Sequence, residues 1–112
     1  MSQYEKKDIY IDSNARRELL SLPKRIQKDF EQLIEELGYR GFLKYPDGKK
    51  LSGYDLFEIR VKRKEIYRCI YVYLQNKIVL LSFFKKKSNR TPTKEIQKAL
   101  KRKYKISITK DE

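Results

Sequence analysis

The chain has 112 residues, of which 28 are Lys or Arg and 15 are Asp or Glu, giving a formal net charge of +13. That length fits one domain, residues 1–112, with one modest core. The absence of His and the single Cys argue against a zinc site, remove any His-based acid/base pair, permit no internal disulfide and fit a reducing cytoplasm.

Residues 1–48 hold 9 basic and 9 acidic side chains, whereas residues 49–112 hold 19 and 6, so the whole excess lies in the C-terminal part. Such asymmetry points to a polyanionic partner, nucleic acid before a membrane surface. The longest apolar run, Cys69–Leu74, is too short to span a bilayer, and Met1–Asp8 contains no apolar segment of a secretory signal.

In chain order, Asp8–Asp12 alternates briefly and predicts an edge strand. Ser13 is the expected N-cap of a short helix through Ala15, Leu19 and Leu20. Pro23 stands near the start of a second helix, whose apolar stripe is Ile26, Phe30, Leu33, Ile34 and Leu37, with Gly38 as the expected C-cap. Residues 38–55 read as irregular, with turn signals at Gly41, Pro46-Asp47-Gly48 and Gly53. Three β-type runs follow at Leu56–Lys62, Ile66–Leu74 and Lys77–Phe84, with Gln75-Asn76 as a two-residue hairpin loop. The last two are apolar on both faces, so both faces of the sheet should be partly covered. Thr91-Pro92-Thr93 opens a final helix with Ile96, Ala99, Leu100 and Lys103 along one side, and Ile106–Glu112 reads as a short strand or a tail.

The expected fold is therefore α+β: an antiparallel β-sheet of about four strands, two N-terminal helices and one C-terminal helix. The expected core comprises Leu20, Ile26, Phe30, Leu33, Ile34, Leu37, Phe57, Ile59, Val61, Tyr71 and Leu80. Tyr67, Tyr71 and Tyr73 share one strand face and belong with that core, as does Cys69. Tyr39, Tyr45 and Tyr54 lie in the irregular segment, where base stacking is more plausible.

Register locates the charge. A hairpin centred on Arg63-Lys64-Glu65 sets Arg60 opposite Arg68. A tight turn at Gln75-Asn76 then sets Phe83 opposite Arg68, with Lys85 and Lys87 continuing on that side. Two opposed arginines repel, so the arrangement favours an anion site. The bland alternative is pairing of each Arg with a carboxylate, Glu58 being the nearest. The basic residues Lys94, Lys98, Lys101, Arg102, Lys103 and Lys105 of the last helix fit an RNA-facing surface, a dock for an acidic protein or a plain solvated face.

An ordered set of motifs then stands out: Lys50-Leu51-Ser52-Gly53, Leu56-Phe57-Glu58-Ile59-Arg60, Tyr67-Arg68 with Ile70-Tyr71, Val79-Leu80-Leu81-Ser82-Phe83-Phe84, Lys86–Pro92 and Glu95-Ile96-Gln97-Lys98-Ala99. Together they resemble the phage-derived HigB-like branch of the RelE/HigB/ParE toxin superfamily over about half the chain. The resemblance implies a toxin of a type II toxin–antitoxin system that cleaves mRNA on the translating 70S ribosome without metal or other cofactor. The implied partner is a small antitoxin, in this branch usually a helix-turn-helix DNA-binding protein. Carried over by position, the catalytic candidates are Lys50, Arg60, Arg68, Lys86 and Lys87. Lys49, Lys62, Arg63, Phe84, Lys85 and Arg90 are the expected RNA contacts. Ser82 stands where the family often has His. A ParE-like gyrase inhibitor and a non-catalytic nucleic-acid-binding protein remain the alternatives.

Overall fold

The computed structural model describes residues 6–86 and 91–110, the last three of these by backbone alone. The elements are β1 (Asp8–Ile11), α1 (Ser13–Leu20), α2 (Lys24–Arg40), β2 (Gly48–Lys50), β3 (Phe57–Lys62), β4 (Ile66–Leu74), β5 (Lys77–Lys85) and α3 (Thr93–Lys110). They build one five-stranded sheet in the order β1-β5-β4-β3-β2. The α+β class is as expected, with two differences. Strand β1 runs parallel to β5, so the sheet is mixed, and the short β2 adds a fifth strand. Three residues with two lysines give no alternation to read, and β2 depends on Gly48. A Cβ there would lie 2.6 Å from the Leu43 Cβ, so only glycine lets the preceding turn close.

Helix boundaries also move. Asp12, not Ser13, caps α1, its Oδ1 accepting from the Ala15 N–H at 2.9 Å. Helix α2 runs past Gly38 and stops at Gly41, whose φ of +84° makes it the left-handed C-cap. Helix α3 continues to Lys110, which replaces the strand or tail expected after Ile106. Gln75 and Asn76 both take positive φ, 48° and 68°, as a tight primed hairpin turn needs.

The sheet is sandwiched. One face packs Ile59, Val61, Cys69, Tyr71, Leu80 and Phe83 under α1 and α2, with Phe30 and Phe83 edge to face at 5.0 Å. The other packs Ile70, Val72, Val79, Leu81 and Phe84 under Ile96 and Ala99 of α3. Of the expected core, Leu20 is the miss at 60% exposure. Gln27 Nε2 donates to the carbonyls of Leu20 (3.2 Å) and Leu22 (2.8 Å), and the turn it closes sends Leu19 and Leu22 inward instead.

Strand β1 covers only the Lys77–Leu80 half of the β5 edge. Two side chains finish the job. Glu18 of α1 accepts from the Phe83 N–H at 3.1 Å, and Arg102 of α3 donates to the Leu81 carbonyl at 2.8 Å. These two form a forked pair with both N···O distances at 3.0 Å, so α3 is clamped to α1 across the sheet edge. Burial opposes ionisation of Glu18, but the Arg102 and Phe83 hydrogen bonds outweigh it and hold the carboxyl below its ordinary value of 4.5. Its stabilising contribution is therefore complete above 4.5 and lost as the pH falls through the depressed folded value. In thermal melts followed by circular dichroism, wild type should exceed Glu18→Gln by about 1–3 kcal/mol near neutrality. That gap should shrink towards zero as the pH is lowered below 4.5.

Candidate functional site

The β3–β4 ladder sets Arg60 opposite Arg68, as the sequence predicts. The β4–β5 ladder departs from expectation. Ile70 faces Ser82 while Tyr71 faces Leu80, so Leu81 is an extra residue that shifts the register by one. Phe84, rather than Phe83, therefore faces Arg68, and Lys85 faces Tyr67 on the other side of the sheet, where its Nζ meets Glu65 at 2.9 Å. The lysine that joins the arginines is Lys86, just past the strand end, with its N–H donating to the Ile66 carbonyl at 2.7 Å.

At the centre is a buried ion pair. Arg68 Nη1 donates to both Glu58 oxygens at 2.7 Å and to Thr91 Oγ1 at 2.8 Å, and the Thr91 hydroxyl in turn donates to Glu58 Oε2. Glu58 sits two residues from Arg60 on the same sheet face, diagonal to Arg68, so it relieves the repulsion between the opposed arginines. It is spent on Arg68. Among the described residues, Lys49, Arg60 and Lys86 have no carboxylate partner. Lys49 lies opposite Glu58 in the β2–β3 ladder and so shares this face. Among the described residues the buried Arg60 Nε–H has no hydrogen-bond partner, and the guanidinium stacks over the Tyr45 ring, 5.6 Å from the centroid. Partial burial, then the positive fields of Arg68 and Arg60, lower the pKa of Lys86 from the ordinary lysine value.

The other candidates fall elsewhere. Lys50 lies opposite Phe57, which places it on the α2 face rather than with the arginines. Arg63 forks onto Asp29 of α2, at 2.6 and 2.9 Å. Phe84 packs into the core beneath α3 at 9% exposure, and so offers no open ring. Lys62 is exposed at the end of β3. Lys87 and Arg90 lie outside the described residues. Ser82 is fully buried, opposite Ile70, with an Oγ that has no partner among the described residues. It cannot replace a histidine in proton transfer. Burial also pushes the Cys69 thiol far up, which removes it as a nucleophile. Sequence reasoning does not single out Thr91; its contact with Arg68 spans 23 residues, and its one local signal is its place before Pro92 at the α3 start.

The arrangement has the charge to attract an anion. Three cations converge without carboxylate partners around a fourth held by a buried pair, and one of the three has a lowered pKa. Removing one member of that pair leaves a buried charge, so Glu58→Ala should cost about 3–5 kcal/mol in denaturant unfolding. Replacing both, as Glu58→Leu with Arg68→Met, should recover most of that loss.

Comparison with known proteins gives concordant results. A family model described as phage-derived protein Gp49-like (DUF891) matches residues 17–104. No curated protein matches the sequence significantly. Among solved structures, free E. coli toxin RelE, as an arginine-to-alanine double mutant, superposes with a TM-score of 0.70 at 18% identity, covering 88% of this chain and 98% of that one. The toxin–antitoxin complex RelBE2 of Mycobacterium tuberculosis gives 0.57 at 21%, covering 73% and 100%. The RelB–RelE complex of Methanococcus jannaschii gives 0.57 at 23%, covering 68% and 88%.

Proposed function

We infer from one premise, that the chain belongs to the phage-derived Gp49-like family within the RelE/HigB-type toxin superfamily, that it is the toxin of a toxin–antitoxin pair and cleaves mRNA on the ribosome. The observation that carries the reading is the convergence of Lys49, Arg60 and Lys86 around the buried Glu58–Arg68 pair. Such a cluster suits a phosphodiester, whose transition state gathers negative charge.

In the proposed reaction the 2′-OH of the substrate attacks the adjacent phosphate. Its proton passes to the Lys86 Nζ, which burial and two neighbouring guanidiniums bias towards the neutral, basic form. The pentacoordinate phosphorane collapses to a 2′,3′-cyclic phosphate, and the 5′-oxygen departs with a proton taken from water. Arg60 supplies the hydrogen-bonding fork for the phosphorane oxygens. Arg68, fixed by Glu58 and Thr91, contributes the field behind it. Lys49 holds a flanking phosphate. Lys86 is preferred to Lys50 as the base because Lys50 lies on the opposite face of the sheet. The partner that silences the toxin is a small antitoxin, in this branch a helix-turn-helix protein encoded beside it.

The test is primer extension on mRNA in a reconstituted translation reaction. Wild type should cut ribosome-engaged mRNA, and Arg60→Ala and Lys86→Met should each lose about 10²–10³-fold in rate. The rate should climb with pH and level off below the ordinary lysine pKa of 10.5, and Lys86→Met should flatten that rise. Intact mRNA on programmed ribosomes, with inhibition of DNA gyrase by the same preparation, would replace this reading with the ParE-like one.

A further inference from the structure

The last turn of α2 and the segment joining it to β2 hold aromatic rings in solvent: Tyr39 is 58%, Phe42 50% and Tyr45 72% exposed. Core packing does not account for three such rings within seven residues. Phe42 is shared by two adjoining concavities. One, of about 450 Å³, is bordered by Tyr39 and Lys44. The other, of about 340 Å³, is bordered by Tyr45, Lys49 and Lys50 and floored by Phe57, Tyr71 and Tyr73. Cations and rings alternate along this groove, and among the described residues no carboxylate lines either part. The Arg60 guanidinium lies over Tyr45, so the groove begins where the anion site ends.

We propose that this groove is a stacking subsite for single-stranded RNA leading from the Arg60–Lys86 site, with Tyr45 and Phe42 as base platforms and Lys44 and Lys50 on the phosphates. The proposal rests on the reading of an RNA substrate. It also gives Lys50, which faces away from the arginines, a role as a phosphate grip. Flat rings interleaved with cations fit a polymer of π-faces and phosphates, and every base can stack on them. An acidic peptide would engage the lysines but leave the exposed rings without flat partners.

The test is fluorescence anisotropy with a fluorescein-labelled, fully 2′-O-methylated single-stranded RNA dodecamer, which cannot be cleaved, in the absence of ribosomes. Tyr45→Ala and Phe42→Ala alter exposed side chains and should fold as wild type, checked by circular dichroism. Each should weaken binding about tenfold, while Tyr45→Phe stays within twofold. The salt dependence should be unchanged in Tyr45→Ala and its slope reduced by about one in Lys50→Ala. Ring variants that bind the dodecamer within twofold of wild type overturn the proposal. If they also lose the cognate antitoxin, the groove belongs to that protein instead. Ring-dependent binding by a protein that cuts no mRNA would leave the subsite standing and remove the cleavage reading; cleavage with ring-independent binding would do the reverse.

Discussion

The Glu58–Arg68 pair is the constraint on which the functional face depends. A strand pairing that sets two arginines opposite each other would splay or slip without a counter-charge. Full burial of the pair means that neither charge can be left alone. Thr91 extends the constraint beyond the sheet, because its hydroxyl touches both members and it immediately precedes Pro92 and α3. The geometry of the cationic face and the docking of the C-terminal helix are thereby set by the same three side chains. The buried pair leaves one guanidinium held still and three cations around it that have no carboxylate partner among the described residues.

The second organising feature is the half-covered edge of β5. An open edge invites pairing with another chain, and here helix side chains cover what β1 does not reach. Because Glu18 and Arg102 come from opposite ends of the chain, this patch ties the first helix to the last. Part of the positive charge of α3 is consumed in doing so: Lys98 pairs with Glu18 and Glu95, and Lys103 reaches Asp55. The helix that reads as a uniformly basic surface is, in its middle turns, an internal brace.

The strands and helices were legible wherever a clean period ran long enough. The stripe from Ile26 to Leu37 and the opposition of Arg60 and Arg68 both follow from spacing alone. Features fixed by single tertiary contacts were not. Strand β2 exists because Gly48 lets the Leu43 backbone approach, and Leu20 faces water because Gln27 closes the turn beside it. The site was half legible. The arginines were placed correctly, but the bulge at Leu81 reverses the parity of everything after it in β5, which exchanges Phe83 for Phe84 and Lys85 for Lys86. No local pattern announces that insertion, since Leu80 and Leu81 are both apolar and both buried. The placement of Lys50 and Arg63 was not legible for a related reason: charge and position along the chain do not say on which face, or against which carboxylate, a side chain ends.

The bulge also bears on the three consecutive lysines of which the first ends β5. A bulge is a discrete phase setting, and insertion or deletion of one residue in the strand would advance or retard everything beyond it. With Lys85, Lys86 and Lys87 in succession, a shift of one step in either direction would still put a lysine at the chain position that Lys86 holds now. The charge at that position would survive such a shift, whereas the apolar positions upstream, where Phe83 and Phe84 pack against different helices, would exchange layers.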